Sequence, residues 1–484
     1  MTPEEFRRHG HVLIDRIADY RARVAERPVL PKLEPGELRA NLPVSAPENP
    51  DPFGDVIDDL DRLVFPALTN WQHPNFFAFF PSNNDLSAVL GDLVSTGVGG
   101  VGLSWQANPA LTEVEEVVTD WLREMSGLSK SWSGVIADTA STATLQALLC
   151  AREKTTNYSL ARGGLAGEAP LAVYCSDQSH SSVEKAALLS GFGRENLRKV
   201  EVDHEYAMWP DALAAAVRAD LAAGIRPCAV VATAGTTATT AFDPIAEIAA
   251  IARENGLWLH VDAAMAGSAM ILPEFRRLWD GVESADSLVV NPHKWLGAAC
   301  DCSVYYVRDP QHLVRVMSTN PSYLRNSTDE RARNEPPRNY RDWGIPLGRR
   351  FRALKLWFLI RSEGVEGLRR RLRRDVENAR WLEARVRERS SWRVLAPVTL
   401  QTLCLRHEPP GLEGEALDGH TLSWVERINR SGRAYLTAAI LDGRWMVRVS
   451  IGALTTEREH VEALWELLKE EAENGEENRG EVAR

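Results

Sequence analysis

The feature that most constrains this chain is a series of strand-length, almost uninterrupted apolar runs between about residues 130 and 310: LAVYC (171–175), CAVVAT (228–233), LWLHV (257–261), SLVV (287–290) and SVYYV (303–307). A strand with one wet face alternates apolar and polar residues, so continuous apolarity means strands covered on both faces. The intervening segments 141–153, 181–191, 210–223 and 244–255 carry helical periodicity. Right-handed β-α-β crossovers are the economical way to join such strands, which predicts an α/β core with a mainly parallel sheet.

The flanks read differently. In residues 4–26, Phe6, Val12, Leu13, Ile14, Ile17, Tyr20 and Val24 recur at helical spacing among charges. Prolines at 28, 31, 35, 43, 47, 50 and 52 then forbid regular structure, so an extended arm should wrap a body or a second subunit. Residues 53–70 look helical again. The run LRRRLRRDVENARWLEARVRER (368–389) interleaves its arginines with apolar residues and acids, which favours a solvated amphipathic helix over a nucleic-acid surface. TLCLR (402–406), WMVRVSI (445–451) and a final helix at 456–471 suggest a small α+β domain. The expected division is 1–85, a large domain over 86–360, a small domain over 361–472 and a solvated tail at 473–484.

Lys and Arg number 56 against 67 Asp and Glu, a net charge of −11 that argues against nucleic-acid and anionic-membrane partners. The start, MTPEEFRRHG, has no apolar core of a secretory signal, and nowhere do 18 apolar residues run together, so a cytoplasmic protein is expected. Six cysteines without a CxxC pair suit a reducing compartment. Cys300 and Cys302 lack neighbouring histidines and are expected to be buried packing, with no metal site.

The chemistry gathers at strand ends. In SLVVNPHKWLG (287–297), Lys294 follows a buried strand, where a lysine either snorkels to the surface or is held as a reactive amine. In WLHVDAAMAGS (258–268), Asp262 ends another buried strand and is followed by small residues that let a flat ligand approach. Ligands of open α/β sheets bind at the carboxyl ends of strands, where both residues would sit. A lysine that forms a Schiff base and a carboxylate that keeps a pyridine nitrogen protonated are what pyridoxal phosphate (PLP) requires as an electron sink. DTASTATLQALL (138–149) places small hydroxylated residues before a helix, which suits either a phosphate or a plain cap. Thr236 and His180 also follow buried strands, the latter placed to stack on a planar cofactor.

NPHKW, HVDAA, DTASTAT, SDQSHSSVEKA and DWGIPLGRRFRALKLW (342–357) resemble the PLP-dependent group II amino-acid decarboxylases. The chain is similar in particular to the aromatic-L-amino-acid decarboxylases, closest to the bacterial DOPA decarboxylases. The resemblance implies the PLP-dependent transferase fold of the aspartate aminotransferase type I, with a mixed, mainly parallel seven-stranded sheet, a small C-terminal α+β domain and an N-terminal helical dimerisation segment. It also implies a homodimer with shared active sites.

Carried over residue by residue, the resemblance makes Lys294 the Schiff-base lysine and Asp262 the partner of the pyridine nitrogen. Ala264 lies under the ring, His180 stacks over it, Thr236 is near it, and Ala140, Ser141 and His293 fall in the phosphate pocket. Tyr323, in NPSYLRN (320–326), alone or together with His180, becomes the proton donor after carbon dioxide leaves, and the 323–338 loop a lid that excludes water. Trp71, Phe79, Phe80, Pro81 and Ser82 match the aromatic-side-chain pocket, Val101 and Leu103 its contribution from the partner, and Arg448 an arginine near the substrate. Phe79, Ser82 and Leu103 stand where the animal enzymes carry tyrosine, threonine and phenylalanine. The implied reaction converts an aromatic L-amino acid to its amine and carbon dioxide, L-DOPA foremost, with tyrosine, tryptophan and 5-hydroxytryptophan as further candidates. Rival readings are a decarboxylase of a non-aromatic amino acid, an aminotransferase on this fold, or an inactive scaffold homologue.

Overall fold

All five apolar runs form strands, and two less conspicuous segments join them. The computed structural model describes residues 1–319 and 337–482, with side chains through Glu473. Its main sheet contains Ser133–Ala137 (β1), Leu171–Ser176 (β2), Leu197–Val200 (β3), Arg226–Thr233 (β4), Trp258–Asp262 (β5), Ser287–Val290 (β6) and Ser303–Val307 (β7) in the order β1-β7-β6-β5-β4-β2-β3. Neighbours pair in parallel except β7, which lies antiparallel to both β6 and β1. The sheet is therefore the expected mixed, mainly parallel one of seven strands. Every residue of β2, β5, β6 and β7 is buried. β3 escapes the apolar pattern because it is an edge strand, LRKV, with one buried residue.

The helix Ala140–Thr155 covers β4 to β7 with Ala143, Ala147, Cys150 and Ala151, all fully buried. Small residues at helical spacing let its backbone approach the sheet closely, and each larger Val or Leu buried there contributes about 1.5–3 kcal/mol. Glu115, fully buried, receives both terminal nitrogens of Arg349, at 3.1 and 2.6 Å, and the amide of Ile136 in β1 at 2.8 Å.

Contacts group Ser82–Arg374 with 396–402 into one unit, and Met1–Pro81 with 375–395 and 403–484 into another. Nearly all of a four-stranded sheet falls in the second unit: Trp392–Val394 (β8), Thr402–His407 (β9), Thr437–Leu441 (β10) and Arg444–Ser450 (β11), ordered β10-β11-β9-β8, with β10 antiparallel to β11 and β8 to β9. Its core is aromatic: Trp392 meets Trp424 and Trp465 edge-on at 5.3 and 5.0 Å. The start of the proline arm is pinned here, Val29 donating its amide to Gly432 and accepting from Asn70, both at 2.9 Å. The N-terminal helix, Pro3–Ala22, buries none of its residues.

Four local expectations are corrected. The proline arm, expected to hold no regular structure, carries one short helix, Glu37–Asn41, in the proline-free stretch between Pro35 and Pro43. The helix expected over 53–70 stops as an α-helix at Asp59 and continues as a π turn, Leu60–Val64, and a 3-10 turn, Phe65–Ala67. Pro66, inside the 3-10 turn, has no amide hydrogen for an α-helical bond to Arg62. The last helix runs Arg458–Val482, through what reads as a tail. Cys302 is buried as packing, but Cys300 is exposed. In the long helix Ala353–Arg387, Leu368, Leu372, Val376, Ala379, Leu382 and Val386 are buried, as an amphipathic helix requires, with a break at Gly364. No helix among the described residues is long and apolar enough to cross a membrane.

Candidate active site

The sheet order aligns the carboxyl ends of β1, β6, β5, β4 and β2 along one edge, and each delivers an expected residue. β1 leads to Ala140 and Ser141, β6 to His293 and Lys294, β5 to Asp262, β4 to Thr236, and β2 to His180. Residues 122 positions apart in the chain, such as Ala140 and Asp262, come to one edge because parallel strands start their loops on the same side.

Lys294 sits in a turn, Pro292–Leu296, with φ −91° and ψ −110°, outside helical geometry. Its amide donates to the carbonyl of Asn291 at 3.0 Å, and Asn291 Oδ1 accepts the hydroxyl of Ser303 in β7. The turn ends at Gly297, whose φ of +101° suits glycine, and the Arg371 guanidinium donates to the carbonyl of Leu296. His293 is buried with Nδ1 against the Cys302 backbone, and burial pushes its pKa down to about 4, so the ring is neutral at pH 7.

Asp262 is 4% exposed, yet its Oδ1 accepts the amide of Ala264 at 3.0 Å, and the Ala264 carbonyl accepts from Asn291 at 2.9 Å. Ala264 thus links the carboxylate to the lysine turn. His180 caps the helix Ser181–Leu189: its Nδ1 accepts the Ser182 amide at 3.1 Å, leaving the proton of the neutral ring on Nε2. Partial burial lowers the His180 pKa and the charge of Lys294 adds to this, while Asp262 opposes it. The imidazole therefore feels both key groups. Thr236 is buried with its hydroxyl accepting from Ala241 at 3.0 Å and 2.8 Å from that of Thr239, so it braces its own loop.

These residues fit PLP. Thr139, the residue before the helix Ala140–Thr155, makes no side-chain cap bond, so the first-turn amides that a cap would satisfy are available to an anion. A buried carboxylate, a lysine at a bent turn and an exposed imidazole face then surround the strand edge. Tyr323 and the 323–336 part of the expected lid lie outside the described residues.

The remaining expected residues divide between the units. Ser82, Val101 and Leu103 belong to the unit with the main sheet, and Trp71, Phe79, Phe80, Pro81 and Arg448 to the other. Trp71 and Phe79 stack at 5.5 Å and 15°, and they are 37% and 44% exposed. Arg448 is buried, donates to the carbonyl of Phe79 and lies 4.1 Å over the ring of Phe80. Arg371, Ser303 and Thr437 were missed by sequence reasoning. Nothing in their local sequence marks them, whereas Asn291 could have been found inside NPHKW.

The family model described as pyridoxal-dependent decarboxylase conserved domain matches residues 35–408. Tyrosine decarboxylase 4 of Petroselinum crispum is 40% identical over 98% of this chain and 94% of its own length. Phenylacetaldehyde synthase of a Rosa hybrid cultivar is also 40% identical, over 98% and 95%. Among solved structures, Oryza sativa TDC with PLP and tryptamine superposes with a TM-score of 0.94 at 38% identity, covering 98% of this chain and 99% of that one. Catharanthus roseus tryptophan decarboxylase with L-tryptophan gives 0.92 at 38%, with the same coverage. With Lys294, Asp262 and His180 gathered on one strand edge, the chain belongs to the pyridoxal-dependent decarboxylase family and is a PLP-dependent carboxy-lyase.

Proposed function

We propose that the protein decarboxylates an aromatic L-amino acid to the corresponding amine. The observation that carries this reading is the exposed, stacked pair Trp71 and Phe79, a flat apolar shelf of the kind an aromatic side chain packs on. Relatives named for tyrosine and for tryptophan, and a solved relative holding L-tryptophan, support it. They favour tyrosine and tryptophan as first candidates, with L-DOPA beside them, since an apolar shelf rejects one extra hydroxyl only weakly.

Bound PLP supplies a sink for the electron pair released when the Cα–carboxylate bond breaks. Lys294 would hold the cofactor covalently and yield that place to the substrate amine. Asp262 would keep the proton on the pyridine nitrogen, and its buried setting makes that charge pairing stronger than it would be in water. His180 would cover the ring, and the first-turn amides of Ala140 and Ser141 would take the phosphate, beside the neutral His293. Tyr323 would return a proton to the α-carbon, so that the product leaves as the amine.

A homodimer belongs to the same reading. Leu86, Leu90, Leu93, Val94 and Val98 form one exposed apolar stripe on and just beyond the helix Leu86–Gly97, with Val101 nearby in sequence, and the N-terminal helix exposes Phe6, Ile14 and Ile17. A second copy would cover these faces. Six free cysteines accord with a cytoplasmic home.

Carbon dioxide release from L-tyrosine, L-tryptophan and L-DOPA, with L-glutamate as control, tests the proposal. Release from at least one aromatic and none from glutamate is expected. Release from glutamate alone would overturn it.

A further inference from the structure

Phe79 has a φ of +51°, a left-handed conformation that a bulky L residue keeps only where its surroundings over-determine it. Two residues earlier, the backbone is still held by ordinary main-chain bonds: Phe77 donates to Tyr435 at 3.0 Å and accepts from Ser450 at 2.9 Å. At Phe79 side chains take over. Its amide donates to Thr437 Oγ1 at 2.8 Å, and its carbonyl accepts from the guanidinium of Arg448. Thr437 and Arg448 are direct cross-strand partners in the β10–β11 ladder. One rung of a sheet therefore grips both polar groups of one strained residue.

The grip fixes where the ring points. The Phe79 ring stacks on Trp71 and meets the edge of Tyr435 at 5.8 Å and 77°, and it remains 44% exposed. If φ relaxed to negative values, the Cα–Cβ bond would swing and the ring would leave Trp71. The strain thus has a geometric product, a two-ring shelf of set angle.

We propose that Thr437, acting with Arg448, is a positioning residue that sets the Phe79 ring and so tunes selectivity among aromatic side chains. This rests on the reading that the shelf receives the substrate.

The test uses the PLP-loaded enzyme and compares wild type with Thr437→Val, which keeps the shape but loses the acceptor, and Thr437→Ser, which restores it. Thr437→Val is expected to raise KM for L-tryptophan about fivefold, the size of one net hydrogen bond, with kcat changed less than about twofold. The tryptophan to tyrosine ratio of kcat/KM should shift, while cofactor absorbance stays at the wild-type level. Thr437→Ser should recover the wild-type values. In a double-mutant cycle, Phe79→Leu should erase the effect of Thr437→Val, because the clamp acts through the ring. An unchanged KM and ratio in Thr437→Val, no rescue by serine, or an equal effect in the Phe79→Leu background would each overturn the proposal. So would lost cofactor absorbance with an unaltered substrate ratio, the mark of a purely structural role. A wild type that releases carbon dioxide from no aromatic amino acid would overturn the aromatic reading itself, and this inference with it. An active wild type indistinguishable from Thr437→Val overturns the positioning role alone.

Discussion

Asp262 and Ala264 are joined by a 3.0 Å hydrogen bond from the Ala264 amide to Asp262 Oδ1. The bond closes a two-residue turn at the end of β5 and holds a buried carboxylate there. Because Ala264 also accepts from Asn291, a residue of the lysine turn, the two halves of the cofactor site are connected through one alanine.

Asp262→Asn keeps an acceptor for the Ala264 amide and removes the charge. Carbon dioxide release should fall by about 10²–10³, a loss comparable to deleting one preorganised electrostatic group. Asp262→Ala should fall at least as far and also melt earlier. Turnover within tenfold of wild type for Asp262→Asn would contradict the assigned role.

Lys294→Ala should abolish the cofactor absorbance near visible wavelengths that survives gel filtration of the wild type, and turnover with it. The Arg371 contact to Leu296 should leave the turn folded, so the melting of the cofactor-free protein should change little. Normal turnover by Lys294→Ala would remove the central assignment.

The buried pair of Glu115 and Arg349 predicts a large, specific loss of stability. Arg349→Met leaves an uncompensated buried carboxylate and should cost about 3–5 kcal/mol in denaturant unfolding. Replacing Glu115 by Leu in the same chain should recover part of this. Full recovery is not expected, because the Ile136 amide also loses its acceptor.

His260, fully buried in β5, and His293 are both held down to a pKa of about 4 by burial. In the unfolded chain a histidine titrates near 6.5, so between about pH 6.5 and 4 the unfolded state binds more protons. Stability is fully present above pH 6.5 and falls as the pH falls through this window, by about 3 kcal/mol for a shift of this size. His260→Asn should flatten the decline in melting temperature between pH 7.5 and 5. An unaltered slope would show that this histidine is not responsible.

Tyr323→Phe should divert product from amine to aldehyde, with oxygen consumed and ammonia and hydrogen peroxide released. The presence of aldehyde synthases among the relatives makes the product ratio worth measuring. Chromatography of both products with an oxygen electrode decides it, and an unchanged ratio would remove Tyr323 as proton donor.

Much of the main sheet was legible in the chain. Continuous apolar runs such as LWLHV and SLVV can be satisfied only by burial on both faces, and beyond them stand a buried carboxylate, Asp262, and a half-buried amine, Lys294, groups too costly to take out of water without a purpose. β3 was not legible because an edge strand needs little apolarity, and the change from α to π and 3-10 turns within 53–67 was not, because periodicity does not record which carbonyl each amide bonds. The aromatic shelf was visible as composition in WQHPNFFAFF, but the left-handed Phe79 was not.

Local order thus determined which segments become the five interior strands of the main sheet, which strand ends hold a lysine, an aspartate and a histidine, and hence the class of cofactor. The tertiary structure alone decided which distant groups meet: Arg349 with Glu115, 234 positions away, and Thr437 with Phe79, 358 positions away. Periodicity reports the face a residue turns to the core. Partners that hold a carboxylate, a turn or a ring in place are set by strand register and packing between segments, which no local window of sequence contains.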